Sequence, residues 1–479
     1  MLDALYKPSL GLLTDLYQLT MAAGYHHAGV AHRRATFNLT FRKPPYGSAF
    51  AVAAGLGPAV EFLQRWGFST ADLDYLSGLL GNDGEPLFAD DFLEMLAGSR
   101  FTCDIDAIPE GTVVAAHAPL VRVTGPLYQA QIVETALLTI LNFQTLIATK
   151  AARVCHAAGP DGTVLEFGLR RAQGIDGALS ASRAAFVGGV HGTSNVLAGR
   201  LLDMPVKGTH AHAWVMVFED EVASFVRYAA AMPHNCVFLV DTYDTIEGVR
   251  RAISVGHDLR DRGHELVGIR LDSGDLCALA KAARELLDAA GFPDAVIVAS
   301  NDLDEHRITE LRSAGAPISV WGVGTRLATG HPKAALGGVY KLAAIEDDQG
   351  VVQPRIKLSE MAIKVSNPGI QQVRRRVDAE TGRFAEDVLY DVHAPGDVLA
   401  TRHPDDHDLL VPVLRGGQLV DPLPPLQVAR ARTLAQLARL PENCLSITAP
   451  EPYPLRLEPG LAARKANLIA RHRSRGGAA

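Results

Sequence analysis

Along the middle third of the chain, short apolar runs return at intervals of about thirty residues, the length of one strand–helix unit. Each run stops in polar or glycine-rich sequence. Val164-Leu165-Glu166-Phe167 ends at Gly168-Leu169-Arg170-Arg171, and Val206 introduces Gly208-Thr209-His210-Ala211-His212. Val237-Phe238-Leu239-Val240 meets Asp241-Thr242, and Leu266-Val267-Gly268-Ile269 meets Arg270-Leu271-Asp272-Ser273-Gly274-Asp275. Val296-Ile297-Val298 leads to Ser300-Asn301-Asp302, and Val320-Trp321-Gly322-Val323 to Gly324-Thr325. Runs of this length between turn signals read as buried parallel strands. The intervals carry helical spacing: Leu276, Leu279, Ala280, Ala283, Leu286, Leu287 and Ala290 form one apolar stripe. Residues 245–259 and 305–314 behave similarly, a further helix falls near 177–186, and 189–193 reads as a turn. Strands alternating with helices predict an α/β barrel, irregular in outline, with an open doubly wound sheet as the alternative. In both folds ligands gather at the carboxyl ends of the strands.

The flanks read differently. Residues 36–41 alternate as a strand, Pro44-Pro45-Tyr46-Gly47 breaks it, and 49–54 resume an extended run. A helix is expected over 59–66, strands within 111–123, and one long helix over 128–150 joining two domains. From residue 337 the pattern becomes an antiparallel meander over 338–343, 355–358, 372–378 and 386–390. Asn367-Pro368-Gly369 and Thr381-Gly382 mark its turns. Arg374-Arg375-Arg376 reads as a solvated edge, and 404–425, rich in proline, as a surface segment. The division that follows is an α+β domain over 1–125 completed by 337–400, a barrel domain with the active site over 126–336, and an extension over 400–479.

A chain of 479 residues with 48% hydrophobic content has the length for two cores. With 46 basic and 53 acidic side chains, its formal charge of −7 argues against a nucleic-acid surface. The basic stretch 464–475 reads as a frayed end. Five cysteines without a Cys-x-x-Cys pair disfavour a zinc cluster and suit a reducing compartment. The start lacks a basic stretch followed by an apolar core, and the most apolar segment, 132–148, is interrupted by Glu134, Asn142 and Gln144. A cytoplasmic protein without a membrane span is expected.

The strand ends hold the candidate chemistry. In the segment Arg270 to Asp275, free amides at a helix start favour an anion. Asp272 and Asp275 there could address Mg²⁺ or ribose hydroxyls; simple helix capping by Asp272 or Ser273 is the competing account. Gly322-Val323-Gly324-Thr325 permits a backbone nest around phosphate, although Gly-x-Gly is common in turns and no P-loop occurs in the chain. His210 and His212 face one side if their strand continues; the readings are a structural histidine and a phosphoryl-accepting nucleophile. Arg170 and Arg171 form a carboxylate or phosphate clamp, or a solvated loop.

Taken together these segments resemble nicotinate phosphoribosyltransferase. The resemblance rests on Thr14-Asp15-Leu16-Tyr17-Gln18-Leu19-Thr20-Met21, Phe37-Asn38-Leu39 with Phe41-Arg42, Glu166 to Gln173, Gly208-Thr209 to His212, Asp241-Thr242-Tyr243, Leu271 to Asp275, and Gly322 to Thr325. It covers most of the chain and weakens beyond residue 400. It implies a type II phosphoribosyltransferase fold, an irregular α/β barrel with a second domain built from both chain ends. It also implies a homodimer with shared active sites, in which Tyr17 reaches the partner's pocket. The implied reaction joins nicotinate to phosphoribosyl pyrophosphate with Mg²⁺, coupled to ATP hydrolysis. By the same resemblance His212 is the histidine that ATP phosphorylates, Thr209 and Arg270 contact nicotinate, and Arg170 helps fix its carboxylate. Gly322, Gly324 and Thr325 hold the sugar 5′-phosphate, and Phe167, Gly208, Ser273 and Gly274 complete the substrate-binding set. Ala213 stands where family members often carry Ser or Ala.

Rival readings leave marks of their own. A nicotinamide-using relative needs no cationic clamp, and quinolinate phosphoribosyltransferase is a more compact enzyme. A phosphosugar aldolase or isomerase needs a Schiff-base lysine or a glutamate base at a strand end, and Lys207 precedes its strand end. A non-catalytic ligand-binding paralogue is expected to lose His212 or Asp272, and both are present.

Overall fold

The computed structural model describes residues 9–400 and 403–476 and divides into two compact units, 147–334 and 1–146 with 335–479. The boundaries differ from the expected 125/126 and 336/337. The short helix Leu127–Ile132 is wholly buried and packs on strands Arg34–Phe41 and Pro119–Pro126, so it belongs with them. The long helix expected over 128–150 is two helices, Leu127–Ile132 and Glu134–Ala158.

The unit 147–334 is built on a parallel sheet: β1 (Thr163–Glu166), β2 (Gly192–Thr193), β3 (Val237–Leu239), β4 (Gly268–Leu271), β5 (Val296–Ala299) and β6 (Val320–Val323). Their spatial order is β2-β1-β6-β5-β4-β3. The last strand pairs with the first, Val320 opposite Thr163 through Val323 opposite Glu166. Order therefore proceeds around a ring, which is a barrel's topology; a doubly wound sheet would reverse direction midway. β2, read as a turn, is a strand, while Val206 makes only a single bridge to Thr193. Between that segment and β3 the ring is stitched by a side chain, the Leu239 amide donating to His210 Nε2 at 3.2 Å.

The helices that follow β3, β4 and β5 each begin with an aspartate cap. Asp244, Asp275 and Asp304 cap Thr245–Asp261, Leu276–Ala289 and Glu305–Ser313. The expected apolar stripe is the buried face of Leu276–Ala289: Leu276, Ala280, Ala283 and Leu287. At the start of the helix after β5, Glu305 is enclosed with Lys150 and Arg153, whose Nε lies 3.0 Å from it. Burial alone would raise the Glu305 carboxyl, but the Lys150 charge and hydrogen bond hold it below its ordinary value.

The second unit holds a seven-stranded sheet in which Arg34–Phe41 lies between Gly338–Glu346 and Pro119–Pro126, all antiparallel. Val352–Pro354 forms the strand expected at 355–358. Residues 404–425 are not a wandering surface segment, because Val411–Arg415 pairs with Asp104–Ala107. The expected extension thus completes this sheet, and 464–475, expected to fray, lies in the helix Pro459–Gly476. In a four-stranded sheet, Gln371–Val377 pairs with Phe384–Asp391. The arginine triplet there is largely interior, contrary to the expected edge. Arg375 is fully buried and forks onto Asp387 through two 2.9 Å bonds, and Arg376 meets Asp406 at 2.7 Å. Strand alternation explains the error: neighbouring arginines point to opposite faces, and both faces here are covered.

Replacing Arg375 by alanine leaves Asp387 charged in the interior and is expected to cost about 3–5 kcal/mol. Urea denaturation of Arg375→Ala and of the paired Arg375→Met, Asp387→Leu variant measures this; the paired change is expected to lose much less.

Candidate active site

The carboxyl ends of β1, β2, β4, β5 and β6, with the segment 208–211, line a cleft of about 340 Å³. Gly208, Arg270 and Gly324, from three separate strand ends, line this one hollow. Arg270 leaves the end of β4 and ties its neighbours together. Its Nε donates to Ser300 Oγ beyond β5 at 2.9 Å, Nη1 to Thr209 Oγ1 at 3.2 Å, and Nη2 to Asp272 Oδ1 at 3.0 Å. Its guanidinium carbon lies 5.9 Å from the centre of the Phe167 ring.

Phe167 explains one glycine. A Cβ on Gly322 would come within 2.7 Å of two ring carbons, so the ring fixes that residue type. Gly208 is the opposite case: no protein atom lies within 4 Å of the place a Cβ would take, and it borders the cleft. Arg170 lines the cleft from the turn Leu169–Arg171, as do Thr209, Asp272 and Thr325 from their loops. The loop bearing Thr325 is anchored by its neighbour, Arg326, which reaches Asp304 at 2.6 Å.

The two histidines part company. The backbone turns into the helix His212–Met216 after Ala211, so no strand places them on one face. His210 is buried against Tyr228, ring centroids 4.9 Å apart, with Phe225 and Phe238 beyond. Burial pushes its pKa down to about 4. His212 is 40% exposed, its Nδ1 3.1 Å from Thr242 Oγ1 and its Nε2 3.9 Å from Asp272 Oδ2.

Asp275, expected at a metal or ribose, caps the following helix by accepting from Cys277 and Ala278 amides at 3.1 Å and lies outside the cleft lining. The capping account was right in kind and wrong in residue, since Asp272 and Ser273 do not serve as the cap. Gly274 takes φ +77°, which turns the chain into that helix. Ser273 donates to Asp241 Oδ2 at 2.7 Å. Tyr17 is in the other unit, half-exposed on the helix Leu16–His27.

Sequence reasoning missed Asp241 as a site residue. Its side chain is 1% exposed, Oδ2 also accepts the Asp272 amide at 2.8 Å, and Oδ1 lacks a hydrogen bond and sits 4.0 Å from His212 Nε2. The signal was available, because an aspartate directly follows the apolar run of β3. Asn301 and Asp302 were quoted only as a strand end. Both adopt left-handed backbone, φ 85° and 46°, at the cleft wall. Such residues store local strain, tolerated best by Asn and Asp.

Three family models match in chain order: the nicotinate phosphoribosyltransferase N-terminal domain over residues 12–142, the nicotinate phosphoribosyltransferase family over 163–353, and its C-terminal domain over 388–465. The chain is 46% identical over 386 residues to a nicotinate phosphoribosyltransferase of Bacillus subtilis, covering 80% of this chain and 77% of that one. To the Mycobacterium tuberculosis enzyme of that name it is 41% identical over 439 residues, with 91% and 89% covered. The crystal structure of human nicotinic acid phosphoribosyltransferase superposes with a TM-score of 0.81 at 34% identity, covering 95% and 99% of the two chains. A nicotinate-nucleotide pyrophosphorylase from Pyrococcus furiosus shares the fold, with a TM-score of 0.71 at 22% identity over 91% and 98% of the chains. Fold and cleft define an α/β barrel enzyme whose cleft is lined by the cations Arg170, Arg171 and Arg270. The chain belongs to the nicotinate phosphoribosyltransferase family.

Because His210 is held neutral, its contribution to stability is complete above the unfolded pKa near 6.5 and is lost as pH falls toward about 4. The loss is on the order of 3 kcal/mol, at 1.36 kcal/mol per pH unit. Denaturant midpoints between pH 7 and pH 4 test it: the slope should flatten in His210→Phe, which does not titrate.

Proposed function

We infer that the barrel cleft carries out the family's reaction, joining nicotinate to phosphoribosyl pyrophosphate with release of pyrophosphate, a step of NAD salvage. The pyridine nitrogen's lone pair forms the bond to ribose C1 as the bond from C1 to the pyrophosphate oxygen breaks, and pyrophosphate leaves with that electron pair. The ring nitrogen needs no general base. The work is alignment of nitrogen and carbon, with stabilisation of the departing charge.

The observation that carries the reading is Arg270 in its cleft. A guanidinium has five N–H donors, and three are engaged by Ser300, Thr209 and Asp272. Two remain for a substrate carboxylate, and Arg170 supplies a second cation at the same cleft. Thr209 then borders nicotinate, with Phe167 and Gly208 beside it. Gly322, Gly324 and Thr325 receive the 5′-phosphate, and Asp272 and Ser273 address the ribose side.

ATP is the co-substrate in this reading, and His212 its phosphoryl acceptor. Thr242 engages Nδ1, leaving the Nε2 lone pair to form the N–P bond as the bond from γ-phosphorus to ADP breaks. The enzyme acts as a homodimer, and the exposed Tyr17 ring reaches the partner's cleft. Mg²⁺ neutralises the phosphates when bound. Asp272 borders the cleft and Asp241 presents a buried oxygen without a hydrogen bond, so both fit such an ion. Among the described residues no group of three or more His, Cys, Asp or Glu forms a metal cage. If bound, the ion would be held by Asp272 and Asp241 and would take its remaining ligands from substrate phosphates and water, as is usual for Mg²⁺. The setting is cytoplasmic; no described helix is long and apolar enough to cross a membrane.

Purified protein with phosphoribosyl pyrophosphate, Mg²⁺ and ATP should convert nicotinate in strong preference to nicotinamide and quinolinate. Equal turnover of nicotinamide would defeat recognition of the carboxylate. His212→Asn is expected to abolish ATP hydrolysis while slow uncoupled synthesis persists; full ATP-stimulated synthesis in that variant rejects the phosphohistidine. Arg270→Lys is expected to raise the nicotinate KM at least tenfold with little change in the KM for ATP, because lysine lacks the planar fork. An unchanged nicotinate KM would move the clamp to Arg170.

A further inference from the structure

The unit formed by 1–146 and 335–479 contains a cavity of about 350 Å³ that the reaction does not use. Its walls are Leu56, Pro109, Val413, Val420, Leu423 and Ala429, with three charged side chains among them, Glu110, Asp421 and Arg432. That size and composition, mostly apolar with few polar groups, is typical of a small-molecule site. One wall is stiff. The segment Val420-Asp421-Pro422-Leu423-Pro424-Pro425 carries three prolines of fixed φ, and the Val420 amide is pinned to the Val413 carbonyl at 3.0 Å. The cavity is therefore formed in advance of any ligand, which lowers the ordering cost of binding.

The charges are not equivalent. Glu110 is already engaged: its carboxylate accepts the Gly55 amide at 2.6 Å and the Gly57 amide at 3.4 Å, at the start of the helix Leu56–Arg65. Asp421 is exposed to solvent. Arg432 is half-buried, and its guanidinium makes one hydrogen bond, from Nη1 to the Glu110 carbonyl at 2.5 Å. Burial lowers its pKa from the ordinary value, opposed by the Glu110 charge. A partly desolvated guanidinium with most of its fork unused, beside an apolar cavity, matches a planar carboxylate on an apolar body. A phosphate dianion fits poorly, because one cation stands there with two carboxylates.

We propose that this cavity is a second ligand site, separate from the barrel cleft, that binds small apolar monocarboxylates with Arg432 as the carboxylate anchor. The probe is 3-phenylpropionate, with 3-phenylpropanamide as its uncharged match and 2-phenylethyl phosphate as the dianion, measured by titration calorimetry. The wild-type protein is expected to show one saturable site for the carboxylate, with the amide and the phosphate at least tenfold weaker. Arg432→Leu should weaken the carboxylate at least tenfold and leave the amide unchanged. Val420→Trp, at an exposed position on the cavity wall, should abolish both while nicotinate turnover persists. Arg270→Ala, which disables the barrel cleft, should leave the carboxylate bound. The proposal is overturned by absence of saturable binding at millimolar probe, by equal affinity for carboxylate and amide, or by loss of binding in Arg270→Ala.

Discussion

The tie made by Arg270 is the constraint on which the cleft depends. Loops at the mouth of a barrel share no ladder of backbone hydrogen bonds, so something else must fix their spacing. Here one planar side chain spans three of them, donating to Ser300, Thr209 and Asp272. Asp241 supports the arrangement from below, holding the Asp272 amide and the Ser273 hydroxyl on one carboxylate oxygen. The geometry of the mouth is therefore set in advance, and such preorganisation is what electrostatic catalysis requires. The arginine that positions the loops is also the one proposed to meet the substrate carboxylate, so in that reading the shape of the cleft and its charge are coupled.

The same logic recurs deeper in the barrel with a different balance. Lys150, Arg153 and Glu305 lie together in the interior, where charges are costly unless mutually paired. Glu305 opens the helix whose cap is Asp304, and Asp304 holds Arg326, the neighbour of Thr325. A buried charge cluster thus continues, residue by residue, to the loop proposed to hold phosphate. Specific polar anchoring of this kind fixes one arrangement of loops where apolar packing would permit several.

The barrel was legible in the sequence because parallel strands are buried on both faces and read as unbroken apolar runs. Its closure was legible only in part. β2 is two residues long, Gly192 and Thr193, too short to leave a periodic signal, and the seam beside β3 is held by a histidine side chain. The cleft residues Arg270, Asp272 and Thr209 could be found because strand ends are where ligands sit. Asp275 could not be separated from them, since a capping aspartate and a ligand-binding aspartate occupy the same position in sequence and differ only in which amides lie nearby. The arginines at 375 and 376 misled for a related reason. Three consecutive cations look solvated, and the aspartates that neutralise the buried pair, Asp387 and Asp406, are distant in sequence.

His210 and His212 show how far residue type alone falls short of role. They are two positions apart and chemically identical, and the backbone turn at Ala211 sends them into different surroundings. One enters an aromatic cluster, where burial removes its charge and its ring substitutes for a missing strand-to-strand bond. The other stays at the surface with an unbonded nitrogen beside two carboxylates. The first cannot serve as a phosphoryl acceptor, because its Nε2 lone pair is committed to the Leu239 amide. The second can, because Thr242 engages only its other nitrogen. The proposed division of roles follows from which lone pair the fold leaves free.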